Sequence, residues 1–298
     1  MTRDPNLVWQ PVDPDSLDLG DREVVVVGGT GGIGRAISRL LTSRGARVVV
    51  VGQTFRDARL PRIEFVHADL SLMSEARRVA ALLPAETADL LVFTTGIFAA
   101  PTREETAEGI ERDMAISYLS RRVILRAIGP RLGARRPAGT PKPRVFVMGY
   151  PGNGQAGTLG DLNAERSYAH VTVHMNTVAG NEMLVLDAAR RYPHASFFGL
   201  NPGLIRTNIR SNLFGAGTLR FRVMEGIIGL LTPSAETYAR RIVPLLVSPD
   251  LEGHSGAMFD RKGFAVRPSL ELTDSHMAAF LSESDALVSR AIPPAAAR

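Results

Sequence analysis

From residue 23 onward, short β-branched runs alternate with segments whose apolar residues fall at helical spacing. The runs EVVVV (23–27), RVVVV (47–51), IEFVH (63–67), DLLVFT (89–94), RVFVM (144–148), SFFGL (196–200) and GAMFD (256–260) predict seven strands. Between them Ile33, Ile37, Leu40 and Leu41, and later Val79, Leu82 and Leu83, recur at i, i+3 and i+4 and mark amphipathic helices. The strand runs are largely continuous in apolar character, which is the pattern of strands covered on both faces. Strand–helix–strand repetition of this kind predicts an α/β fold, a doubly wound parallel sheet of about seven strands flanked by helices. There is no repeat of fixed period, and ARRPAGTPKP (134–143) reads as a loop ahead of the fifth strand. The 298 residues fit one domain, with 1–21 as a polar, proline-punctuated N-terminal extension.

Charge changes this picture little. The formal net charge is +5, yet the arginines are spread along predicted helices. The one tight cluster, Arg131, Arg135 and Arg136, sits beside a proline-rich loop. That distribution suits a solvated face better than a phosphate track, so no nucleic-acid partner is expected. No apolar stretch is long enough to span a bilayer, and the N-terminus has neither the basic start nor the apolar run of a signal peptide. The expected setting is the cytoplasm, as a soluble protein alone or as a homo-oligomer. Zero cysteines remove disulfides, thiolate catalysis and cysteine-zinc sites together. No metal site is expected either, since His170 and His174 form a single i, i+4 pair without an acid of zincin type. Only two basic residues are lysines, Lys142 and Lys262.

The strongest local signal follows the first strand. In GGTGGIGRA, Gly28, Gly32 and Gly34 stand in G-x-x-x-G-x-G spacing, with Thr30, Gly31 and Ile33 between them and a helix beginning near Ile33. Glycines there permit a tight turn and bring backbone N–H groups close to a pyrophosphate, and the helix N-terminus adds partial positive charge. The competing reading is a glycine-rich turn with no ligand.

With these residues in place, the chain from about 22 to 262 resembles a short-chain dehydrogenase/reductase. VGGTGGIG (27–34) is similar to the family's T-G-x-x-x-G-I-G, with Val27 at the first threonine. HADL (67–70) resembles the segment that holds adenine, which would be done by Asp69 and Leu70. FTTG (93–96) stands where the family has N-N-A-G and offers Thr94, Thr95 and Gly96. NPGLIRT (201–207) resembles P-G-x-x-x-T, implying that Pro202, Gly203, Ile205 and Thr207 hold the nicotinamide carboxamide. Each segment lies at the carboxyl end of a predicted strand, where open α/β sheets bind ligands. The resemblance implies a Rossmann-type fold, a nicotinamide cofactor and oxidoreductase chemistry on a small molecule.

The end of the second strand bears on the choice of cofactor. An acid there would hydrogen-bond the ribose 2′-OH and repel a 2′-phosphate. Gly52 and Gln53 occupy the acid's place, and Thr54 and Arg56 follow within reach of a phosphate. NADP(H) is therefore favoured over NAD(H), the alternative being that Arg56 is a solvated loop residue.

The resemblance also implies a tyrosine that protonates the carbonyl oxygen, a lysine four residues later, a serine and an asparagine. None is present in the usual form. Alignment puts His174 at the tyrosine, Val178 at the lysine, Tyr150 at the serine and Ser117 at the asparagine. Some sequences of the superfamily share this pattern, which here reads SYLSR (117–121), Asp161-Leu162, Tyr168 and HVTVHMNT (170–177). The candidate acids are Tyr150 and His174, with Tyr168 next, and imidazole chemistry near neutral pH suits the role. Residues 208–232 are a candidate flap whose Phe214, Leu219, Phe221, Met224 and Ile227 suit a hydrophobic substrate. Three readings stay open: a reductase with a relocated acid, a redox-sensing binder, and a non-redox isomerase or cyclase reusing the pocket.

Overall fold

A computed structural model describes residues 1–203 and 233–292. Ile205, Thr207 and the candidate flap at 208–232 lie outside the described residues.

All seven expected runs contain strands: β1 (Glu23–Val27), β2 (Arg47–Gly52), β3 (Ile63–His67), β4 (Leu90–Phe93), β5 (Arg144–Met148), β6 (Ser196–Leu200) and β7 (Met258–Phe259). An eighth, β8 (Ala265–Val266), was not anticipated and turns back antiparallel on β7. The turn between them is held by the Asp260 carboxylate, which accepts from the backbone N–H of Lys262 (2.8 Å) and Phe264 (2.9 Å). The sheet order is β3-β2-β1-β4-β5-β6-β7-β8, parallel except for the last pair.

Alternate residues of each strand point to opposite faces, and both faces are apolar, which is why the runs do not alternate. Val25, Val27, Leu91, Phe93, Val145 and Val147 pack under α2 (Met73–Leu82), α5 (His170–Arg191) and the C-terminal helix α7 (Asp274–Ala291). Val24, Val26, Val48, Val50, Phe146 and Phe198 pack under α1 (Gly32–Ser43) and α6 (Ala235–Val247). Each such side chain contributes about 1.5–3 kcal/mol by leaving water. β3 lies at the sheet edge and is only partly buried, so Glu64 and His67 are tolerated there.

The first face also carries one continuous helical run, α3 (Arg112–Met114), a π turn (Ala115–Leu119) and α4 (Ser120–Ile128). It packs closely on α5, where a Cβ at Gly180 would lie 2.8 Å from the Tyr118 ring. Among the described residues, no helix is long and apolar enough to cross a membrane.

The expected N-terminal extension packs against the far end of the sheet. Asp4 donates its N–H to the Ala265 carbonyl (2.9 Å), Arg267 donates to that of Thr2 (2.9 Å), and the Trp9 indole donates to Gly263 (2.7 Å). Leu7, Trp9 and Leu19 are part of the core.

The chain winds outward from β1 to β3 and then returns to place β4 on the other side of β1. That reversal opens a crevice at the carboxyl ends of β1 and β4, the position at which such sheets take ligands.

Candidate cofactor and active site

The crevice begins with the glycine loop. Gly28 adopts φ +90°, and a Cβ there would sit 2.6 Å from both Thr94 Oγ1 and the Thr95 nitrogen. A Cβ at Gly34 would meet the Gly28 carbonyl oxygen and Thr94 Oγ1 at 2.3 Å. These glycines thus let β1, β4 and α1 converge. Gly31 differs: it caps α1 without a side-chain hydrogen bond, and a Cβ on it would meet nothing within 4 Å among the described residues. The first N–H groups of α1 therefore face open space, ready for an anion. At the end of β2, Thr30 packs against Gly52, where a Cβ would lie 2.3 Å from the Thr30 hydroxyl. The Thr95 hydroxyl is buried with no hydrogen-bond partner among the described residues. An open, uncapped helix N-terminus beside an orphaned hydroxyl fits a dinucleotide that the fold leaves room for.

The expected adenine-side residues converge as well. Burial opposes ionisation of Asp69, but the Ser71 backbone and hydroxyl and the Gln53 side chain outweigh it, so the carboxyl stays below its ordinary range. Leu70 is buried beside it, and Thr54 and Arg56 are exposed. The structure adds an acid that sequence reading did not place, Asp57. Its carboxylate is 7% exposed and taken up by Arg35 (2.7 Å) and Arg39 (3.2 Å), the Arg35 hydrogen bond holding its pKa low. Arg56 has no ion pair among the described residues.

Beyond the loop lies a cavity of about 660 Å³. Ile33, Thr94 and Gly96 form one wall, Met148, Gly149 and Tyr150 another, and Asn201, Pro202 and Gly203 a third. From the helices come Ser117, His174 and Val178, which with Tyr150 are the four positions aligned with the family's asparagine, tyrosine, lysine and serine. Neither lysine lines it; Lys142 donates to the Pro193 carbonyl (2.7 Å), away from the crevice.

The candidate acids are distinguished by their surroundings. His174 Nδ1 lies 2.8 Å from Asp113 Oδ2, its ring is tilted against Phe98 with centroids 4.4 Å apart, and its side chain is 19% exposed. Asp113 is fully buried and also accepts from the Ser117 hydroxyl, which in turn accepts from the Ile97 N–H (3.0 Å). A buried carboxylate needs such donors, and it fixes Nδ1 as the protonated nitrogen, leaving Nε2 for a ligand. Tyr150 is 44% exposed at the cavity mouth and makes no hydrogen bond among the described residues. Tyr168 turns away: its hydroxyl donates to Ala100 (2.5 Å) outside the cavity, and burial pushes its phenol up to about 12.

Asp113, Ser117 and Arg121 recur every four residues along the helical run. The π turn, which bonds i to i+5, carries more than 3.6 residues per turn, so side chains four apart stay aligned. Asn181 on α5 closes the floor, its amide donating to the carbonyls of Ser117 (2.8 Å) and Thr177 (2.7 Å) while its oxygen accepts from Arg121 (2.8 Å). The sequence pointed to Ser117 and His174 but not to Asp113, Arg121 or Asn181. The signal was the polar triplet 113, 117, 121 at constant spacing along one helical run.

Glu111 starts the same helix, accepting from the Met114 N–H (2.7 Å), and is 1% exposed. Burial, with Asp113 nearby, pushes its carboxyl up from 4.5 to about 7. Between those values the folded protein keeps a proton that the unfolded chain has released, so stability falls as pH rises, by roughly 3 kcal/mol in full. Glu111→Gln, which keeps the accepting oxygen, is expected to raise the melting temperature above wild type near pH 8 and less so near pH 5. Equal shifts at both pH values in a thermal-melt series would refute this.

Comparison with known proteins agrees with the geometry. A family model described as short chain dehydrogenase matches residues 22–140. An uncharacterized oxidoreductase of Saccharomyces cerevisiae is 49% identical over 294 residues, covering 97% of this chain and 95% of that protein. A polyprenol dehydrogenase of Homo sapiens is 23% identical over 259 residues, covering 79% of this chain and 76% of its own. Among solved structures, an uncharacterized protein from Mycobacterium Paratuberculosis has a TM-score of 0.66 at 22% identity, covering 94% of this chain and 98% of its own. RhlG of Pseudomonas aeruginosa, solved as an NADP active-site complex, has a TM-score of 0.60 at 20% identity, covering 83% and 96%. At these identities the structural likeness speaks for the fold alone.

Proposed function

This chain is an oxidoreductase that belongs to the short-chain dehydrogenase family, and from that premise we propose that it reduces a carbonyl group of a small, largely apolar molecule with NADPH, His174 being the proton donor. The observation that carries the reading is the Asp113–His174 pair at the wall of the cavity, 2.8 Å apart.

Gly28, Gly31, Gly32 and Gly34 would hold the pyrophosphate, Asp69 and Leu70 the adenine end, and Pro202 and Gly203 the nicotinamide end. When bound there, a reduced nicotinamide supplies a hydride to the carbonyl carbon. His174 gives its Nε2 proton to the carbonyl oxygen, so that hydride and proton together convert the carbonyl to an alcohol. Asp113 keeps the imidazole in place through Nδ1 and stabilises the protonated ring, as a buried carboxylate does for a histidine acid. Ser117 holds Asp113 and, through Ile97, the loop after β4. Glu182 fixes the rim, its buried carboxyl accepting from the N–H groups of Gly152 (3.0 Å) and Ser269 (2.6 Å).

Calorimetric titration with NADPH and NADH, followed by a carbonyl panel monitored through loss of the reduced cofactor's absorbance, tests the reading. It fails if neither cofactor binds saturably at millimolar concentration. Tight binding without turnover on any carbonyl or alcohol would favour a redox-sensing role instead.

The preference for NADPH rests on Arg56 and the missing acid at Gln53. Arg35 and Arg39 are already committed to Asp57, whereas Arg56, exposed and without an ion pair among the described residues, follows the end of β2 by four positions. Arg56→Ala is expected to weaken NADPH by roughly tenfold, the loss of one charge-assisted hydrogen bond, and NADH hardly at all. Equal losses for both cofactors would show that Arg56 does not meet a phosphate.

A further inference from the structure

The proposed reaction leaves one charged group at the cavity without a task. Arg121 lines the cavity on the floor formed by α4, and the residue is 3% exposed. Its Nη1 donates to the Met148 carbonyl and to Asn181 Oδ1 (2.8 Å), and its Nη2 donates to the Thr95 carbonyl. Its Nε–H is buried without an acceptor among the described residues. Every acceptor it has is neutral, and among the described residues it has no ion pair. Its neighbour Arg122, equally buried, is by contrast matched to Asp285 (2.7 Å). Desolvation pulls Arg121 down to about 9, opposed by the field of Asp113, so it remains a cation at neutral pH.

An unpaired charge in a water-poor site is costly, and its field is correspondingly long-ranged there. Gly96, on the cavity wall, lies beside that charge: a Cβ on it would stand 3.7 Å from Nη2, in ordinary contact. Among the described residues, the other ionisable groups at the cavity are His174, backed by Asp113, Asp260 and Arg261 after β7, and Met1. Arg121 is the one set into the floor beside the loop after β4.

We propose that Arg121 makes the cavity discriminate between the redox states of the nicotinamide, binding the neutral reduced ring in preference to the cationic oxidised ring and so setting the protein to work as a reductase. This rests on the cofactor reading above. The discrimination follows from charge alone, because the two ring states differ by one positive charge and little in shape.

The test measures dissociation constants of NADPH and NADP+ for the intact protein by fluorescence titration. Wild type is expected to bind NADPH at least about tenfold more tightly, and Arg121→Gln and Arg121→Met to shrink that ratio by about tenfold, equivalent to about 1.4 kcal/mol. Arg121→Lys keeps the charge and loses the fork, so both affinities fall while the ratio persists. A merely structural Arg121, tying together the ends of β4, β5 and α5, would weaken both forms in parallel in all three variants. That parallel loss, or a wild-type ratio near one, overturns the proposal while leaving the cofactor reading intact. Absence of binding of either form by wild type would remove both. Should the neutral variants fail to fold, the wild-type ratio decides: a preference for NADPH of about tenfold or more sustains the proposal, and a ratio near one overturns it.

Discussion

Replacing His174 with alanine is expected to lower kcat by roughly 10²-fold or more, the usual contribution of a positioned acid, while NADPH affinity stays close to wild type. Asp113→Asn should follow it, with a loss between about 10² and 10⁴, because an amide can neither fix the Nδ1–H tautomer as firmly nor stabilise the protonated ring. The two losses should not add, since both disable one unit. Tyr150→Phe is expected to change little: its hydroxyl has no hydrogen bond among the described residues and is 44% exposed. Steady-state kinetics on any substrate found in the carbonyl panel decides the matter. If Tyr150→Phe abolishes turnover while His174→Ala spares it, the acid is the tyrosine and the Asp113–His174 pair is structural.

A second large effect is expected at Gly31. Gly31→Asp should abolish detectable NADPH binding, because its carboxylate would stand where the uncapped N-terminus of α1 awaits a pyrophosphate. The fold should not suffer. The new Cβ meets nothing within 4 Å among the described residues, and aspartate is a preferred capping residue, better than glycine by a few tenths of a kcal/mol. Gly32 is a less clean position for the same charge, since its φ of +46° adds backbone strain for any side chain. Gly34→Ala should instead harm both binding and stability, its methyl group driven against the Gly28 carbonyl at 2.3 Å. Melting curves with and without NADPH separate these outcomes. Wild-type affinity in Gly31→Asp would mean that the glycine loop is only a turn.

The strands were legible because each is a local run and both sheet faces demand the same apolar character. The short β8 was not, since Ala265 and Val266 take their strand geometry from β7 and from the N-terminal segment. The glycine loop was legible for the same local reason, a strand and a helix joined by a turn that excludes side chains. His174 emerged by register along one helix. Asp113 lies 61 residues away and reaches it only across two packed helices, a pairing that no local pattern encodes. Arg121 was not legible for a different reason: the family pattern calls for a lysine four residues after the acid. The chain instead brings its buried cation from the neighbouring helix, where the π turn aligns it with Ser117.

The packing of the N-terminal segment against the far end of the sheet has a kinetic consequence. Trp9 reaches Gly263 across 254 residues of chain, so this segment cannot find its place until that later stretch exists. Leu7 and Trp9 must wait, apolar and uncovered, while the central strands pair, and closing so long a loop makes this contact slow to form. Trp9 is also the chain's single tryptophan. Its emission therefore reports the meeting of residues 9 and 263, a late event separate from assembly of the strands that carry the cofactor loop.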